Sequence, residues 1–254
     1  MNRAVLWICL VAALAGSPTS HAQDRLDEPP SWRAPPDLTL AAELMPGLAN
    51  LMGISGRSTI RCLVVKDGHP FQCHVADERP AGLGFGSAAR LVVASGEIRA
   101  GRSAGRIVPV WITSAVNFGA FDPDQSIQPW TGPEPSEEGL VLARRLVETD
   151  PTLPLPTVDQ LIAGLDVDRR VVVRGWMDEL LPDYDATSRE APAIHFARLL
   201  TPDQLRTVLS GGYVPTPDDA TYGAAFEDVT AEQVVALREL RRRYCERWSC
   251  TLEP

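Results

Sequence analysis

Asp67-Gly68 stands between two runs of alternating polarity, Thr59 to Lys66 and His69 to Ala76, both rich in β-branched residues. This arrangement encodes a β-hairpin, because alternation gives each run one apolar face and Asp-Gly tolerates the positive φ of a tight turn. A two-residue loop pairs Val64 with Phe71, Cys62 with Cys73 and Ile60 with Val75. The two cysteines then lie opposite each other, and a cross-strand disulfide follows if the thiols are oxidised. Pro70 falls opposite Val65 at a non-hydrogen-bonded site, where its missing N–H removes no ladder bond. A bulge at the turn would shift this register. Further on, Ser87 to Ala94 reads as a short helix with Ala88, Leu91 and Ala94 at helical spacing, and Ile107 to Ile112 reads as a strand.

The compartment is read from the front of the chain. Residues 1–22 carry Arg3, an apolar stretch from Ala4 to Ala15 and a small-residue exit at Ser20-His21-Ala22, the three parts of a cleavable secretory signal peptide. The apolar stretch falls short of the roughly 20 residues that span a bilayer, so a retained anchor is the weaker alternative. No later segment approaches that length, which predicts a mature chain without a stable membrane span. After removal of Cys9 with the signal, Cys62, Cys73, Cys245 and Cys250 remain, an even set in an exported protein. Two disulfides are expected, the second closing a small loop between Cys245 and Cys250. The formal net charge of -9 and the absence of a long basic run argue against a nucleic-acid partner.

The segment around the hairpin resembles the C-terminal domain of TonB-family energy transducers, a small β-β-α-β module of the Gram-negative periplasm. The resemblance is carried by Pro30-Ser31-Trp32, Met45-Pro46, Gly53-Ile54-Ser55-Gly56, the cysteines around Asp67-Gly68, Glu78-Arg79-Pro80-Ala81-Gly82, Gly84-Phe85-Gly86-Ser87-Ala88-Ala89 and the strand-like Gly105 to Phe118. It covers about a third of the chain. It implies a partner in the cell envelope: the family engages a short peptide near the N-terminus of outer-membrane transporters by adding it to a sheet edge. The candidate edge is Arg106 to Ile112, with Arg106, Val108, Val110 and Trp111 as its binding residues. Pro109 supports an edge position but weakens a continuous ladder. Trp111 is either an exposed recognition aromatic or a core residue. A full member of the family would carry a permanent inner-membrane helix and a long proline-rich spacer. The interval from Gln23 to Pro36, at about 3.1 Å per residue, reaches only some tens of ångströms.

Beyond Gly119 the pattern changes, first to proline, glycine and acidic residues and then to helical periodicity. Capping boxes mark helix starts at Thr157 with Gln160, Thr201 with Gln204 and Thr230 with Gln233. Ser136 starts a further helix with Leu140, Leu142, Leu146 and Val147 toward a core. Val171 to Val173 fits either a strand or a buried helix, and Val234, Val235, Leu237, Leu240 and Tyr244 form a stripe on the last helix.

Chemistry finds little purchase. Of the histidines left in the mature chain, His69 reads as a solvated turn residue, His74 as an outer-face strand residue and His195 as a hydrogen-bonded helix residue. Gly82-Leu83-Gly84-Phe85-Gly86 lacks dinucleotide or P-loop spacing, and Asp122-Pro123-Asp124-Gln125-Ser126 lacks the ligand spacing of a calcium loop. No catalytic residue, metal site or cofactor is assigned.

These observations predict an α+β chain: residues 1–22 a signal peptide, 23–37 a short proline-rich lead-in, 38–118 a small β-β-α-β TonB-C-like module, 119–135 a linker and 136–254 a mostly helical domain. The expected function is that of a periplasmic, non-enzymatic binding or adaptor protein. A structural role in envelope assembly through the helical domain, including a homodimer, is the second reading. A secreted enzyme with a site near His195, Asp183 and Asp185 is the third.

Overall fold

The computed structural model describes residues 26–120, 130–150, 153, 155–215 and 231–252. The signal peptide, the Asp122-to-Ser126 segment and the Thr230 capping residue lie outside these residues.

Mixed helices and small antiparallel sheets give an α+β fold. Its centre is a three-stranded sheet of β2 (Gly56–Val64), β3 (Phe71–Arg79) and β7 (Val110–Phe118), in the order β3-β2-β7. The alternation of β2 places Ile60, Cys62 and Val64 on the buried face and Arg57, Thr59, Arg61 and Leu63 on the other. Against the buried face lies α3 (Phe85–Ala94). Its core side is Phe85, Ala88, Ala89, Val92 and Val93, while Leu91, expected on the apolar stripe, is exposed. The helix starts at Phe85, two residues before the expected Ser87, and its buried stripe at Phe85, Ala88, Ala89, Val92 and Val93 leaves both Leu91 and Ala94 exposed.

The helix entry explains its glycines. Gly84 sits at φ +95°, a left-handed conformation that costs glycine little, and its N–H donates to Glu78 at 2.8 Å. Across the interface, a Cβ on Gly56 would stand 2.3 Å from the Phe85 ring, so the strand admits only glycine there.

The hairpin departs from the two-residue turn. β2 ends at Val64 and β3 begins at Phe71, leaving a six-residue connection. Gly68 forms a two-bond bridge with Ile98, and the Asp67 carboxylate accepts from the Ala100 N–H at 2.7 Å and Arg102 at 2.9 Å. Docking onto the 98–102 segment thus replaces turn closure. Leu63, rather than Val64, pairs with Phe71, whereas Ile60 keeps the expected partner Val75. The shift is taken up at Gln72, which adopts φ +46°, and a second irregularity falls at Ala76. Both cysteine pairs form disulfides, Cys62–Cys73 and Cys245–Cys250.

The strand expected over Arg106–Ile112 is divided. Arg106–Ile107 (β6) pairs with β5 (Arg102–Ser103), and the Val108 N–H donates to Gly101. Pro109, with no donor, marks the break, and β7 runs on to Phe118. A third small sheet joins β1 (Ser31–Ala34) to β4 (Glu97–Arg99). Two short helices, α1 (Leu40–Glu43) and α2 (Gly47–Leu51), close the N-terminal part.

The second half is helical: α4 (Glu137–Thr149), α5 (Val158–Ile162), α6 (Val167–Leu180), α7 (Tyr184–Leu199), α8 (Pro202–Leu209) and α9 (Ala231–Trp248). Thr157 and Thr201 form the expected capping boxes, and Ser136 caps α4 by accepting from Gly139. Val171 to Val173 lies in α6. In α9, Leu240 and Tyr244 are buried as expected but Val235 is exposed.

These helices divide between two cores. Val158, Leu161, Ile162, Val173, Met177, Leu240 and Tyr244 join the same cluster as Ile60, Phe85, Val93 and Phe118. Ala143, Leu146, Val147, Ala193 and Leu205, from α4, α7 and α8, form a second one. Arg169 ties α6 to the sheet module. It donates to the Ala81 carbonyl, lies 3.2 Å from Asp166, and stands 5.4 Å over the Trp248 ring.

Candidate functional site

The two edges of the central sheet differ physically. β3 carries both backbone irregularities, which disrupt pairing with a further strand. β7 pairs with β2 over nine consecutive positions, from Gly56 opposite Phe118 to Val64 opposite Val110, without a register shift. It contains no proline, and among the described residues no strand pairs with its far side. β7 is therefore the regular edge of the sheet, with α1 and α3 in contact with it.

Beside that edge lies a groove of about 280 Å³. Ile112 and Thr113 form one wall; Pro30, Ser31 and Trp32 from the β1 region and Ile98 from β4 form the other. Trp32 is braced by Gly96, where a Cβ would come within 2.6 Å of the indole.

The outer face of the sheet is open beside the same edge. Trp111 is 42% exposed, which settles the sequence alternative in favour of a surface aromatic. The Arg61 guanidinium lies 5.0 Å over its ring, and His74 meets it edge-on at 5.2 Å. Phe71, 56% exposed, and Leu63 extend the patch. On the same face, Arg57 is opposite Arg79, which is paired with Asp77 at 2.8 Å. Neither Arg57 nor Arg61 has a carboxylate partner among the described residues. Among the described residues, α5, α6 and α9 pack into the core behind this face.

Of the expected binding residues, Val110 and Trp111 lie on β7, whereas Arg106 and Val108 belong to the neighbouring hairpin and its exit. Sequence reading missed Arg61, and it ended the candidate edge at Ile112 although the strand-like run was read through Phe118. The alternation of β2 puts Arg61 on the outer face with its neighbours two residues apart, a signal that was present in the hairpin pattern.

The groups considered for catalysis do not converge. His195 is buried in α7, ten residues beyond Asp185, which is about 15 Å along a helix. Asp185 instead accepts the Val158 N–H at 2.8 Å, and Asp183 is the residue preceding α7. His69 is exposed in the connection between β2 and β3, as expected, and its Nδ1 also makes a 3.0 Å contact to the Gly96 carbonyl. Among the described residues no group of His, Cys, Asp and Glu could hold a metal ion, and no helix is long and apolar enough to cross a membrane.

Comparison with protein-family models, with curated proteins and with solved structures finds no match to this chain.

Proposed function

We propose that this protein is a periplasmic, non-enzymatic recognition protein of the TonB-like type that binds an extended peptide of an outer-membrane transporter by adding it as a strand to β7. The observation that carries the reading is the unbulged, nine-residue β7 edge with no strand on its far side among the described residues. Such an edge supplies main-chain hydrogen bonds to a guest strand, and the groove at Trp32 and Ile112 supplies a pocket for its side chains. Two disulfides favour an oxidising compartment, in keeping with the signal-like N-terminus. The transporter as partner rests on the TonB resemblance.

The test is photocrosslinking in the envelope from a crosslinking residue placed at Ala115 or Asn117, both exposed on β7, and from a control at Leu91 on α3. The expected result is a crosslink to an outer-membrane transporter from β7 and none from Leu91. Absence of a β7 crosslink, or equal crosslinking from both, contradicts the proposal.

One observation favours an assembly role as the second reading. Val167 and Val171 are 70% and 68% exposed and lie one helical turn apart on α6, a small apolar surface. Sedimentation of wild type against Val167→Lys/Val171→Glu distinguishes it, since loss of a self-associated species would support this second role.

A further inference from the structure

The outer face beside β7 carries charge in a definite spacing, and this deepens the strand-addition reading on which it rests. Arg61 is in register with Thr113 and Arg57 with Asn117, while Thr59 and Ala115 stand between them. The two arginines therefore lie four residues apart on one face, and among the described residues neither forms an ion pair; Asp77, opposite Thr59 between them, is engaged by Arg79 at 2.8 Å. A strand added to β7 lies two interstrand spacings from β2, about 10 Å, within the combined reach of an arginine and a glutamate side chain. The Arg61 guanidinium lies over the Trp111 ring on the same outer face. In a chain of net charge -9, a local surface with arginine at two aligned positions selects for the opposite charge.

We infer that the guest strand is an acidic peptide with carboxylates on residues i and i+4, both on its outer face and directed to Arg61 and Arg57. Its residue between them, at i+2, is small or uncharged, because it meets Ala115 and Thr59. The alternate, inward residues are apolar and enter the groove beside Ile112 and Trp32. Period-two alternation makes the spacing decisive: carboxylates three residues apart fall on opposite faces of a strand.

The test uses the oxidised mature protein and fluorescein-labelled peptides read by anisotropy. The probe is Ser-Val-Glu-Val-Thr-Val-Glu-Val-Ser. Its isomer Ser-Val-Glu-Val-Thr-Glu-Val-Val-Ser has the same composition with the carboxylates three apart. A copy of the probe with lysine for glutamate and a copy with alternate backbone N-methyl groups complete the set. The expected result is that the isomer and the lysine peptide bind about tenfold more weakly than the probe, and that Arg57→Gln/Arg61→Gln abolishes this preference. Circular dichroism checks that the double variant, altered only at exposed positions, keeps its fold. Equal binding of probe and isomer, or a preference that survives in the variant, overturns the acidic spacing while leaving strand addition in place. Equal binding of the N-methylated copy overturns strand addition itself, and absence of binding by every peptide overturns the inference.

Discussion

Trp111 is held on the sheet surface by a cation above it and an imidazole beside it, so its ring is oriented without being buried. A side chain in this position contributes more to recognition than to folding. Trp111→Ala should leave stability within about 0.5 kcal/mol of wild type, as for other exposed substitutions, while weakening peptide binding; urea unfolding and anisotropy check the two halves of the prediction. Asp67 makes the opposite kind of contribution. The Ala100 N–H, and then Arg102, hold its carboxyl below the ordinary value of 3.8. A depressed folded-state value means stability that is present above the unfolded value and lost as pH falls through the folded one. Asp67→Asn should therefore lower the urea midpoint at pH 7 and have a smaller effect at pH 3; an equal loss at both would show that the charge is not what matters. The cysteines and the outer-face position of His74 were legible from alternation. The use of Asp67 was not, because its partner Ala100 lies 33 residues away with no local pattern linking them.

The hairpin, α3 and the capped helices follow from local rules, and the register and strand division do not. An Asp-Gly pair permits a tight turn, but bonds between Gly68 and Ile98 stabilise a longer connection that no two-residue reading anticipates. Likewise, the apolar run from Ile107 to Ile112 is continuous in sequence, yet Pro109 lies where the chain changes sheets. The Cys62–Cys73 bond closes an 11-residue separation across this displaced register. On chain-entropy grounds its removal should cost about 3 kcal/mol, against about 2 kcal/mol for the shorter Cys245–Cys250 loop. Paired Cys→Ser variants, compared by denaturant unfolding, should show that order. A larger loss from the C-terminal pair would mean that its loop does more than restrain the terminus.

At the scale of the whole molecule, the main core runs from the sheet into α5, α6 and α9, whereas α4, α7 and α8 surround their own cluster. The sequence pattern marked the change from strands to helices near residue 119, but periodicity within a helix does not say which distant surface its apolar stripe meets. A chain ending at residue 135 would lose Val173, Met177 and Tyr244 from the core beneath Phe85, so it should unfold well below the full protein or fail to fold; thermal melts of the two chains check this. Among the described residues the same packing keeps α5, α6 and α9 behind the sheet and leaves Trp111 exposed on its outer face. Hydrogen exchange along Val110–Phe118, with and without the acidic nonapeptide, tests that arrangement most directly. Strand addition predicts that amides at alternate β7 positions, those not bonded to β2, become protected when the peptide binds. Saturating binding with unchanged exchange along β7 would contradict it.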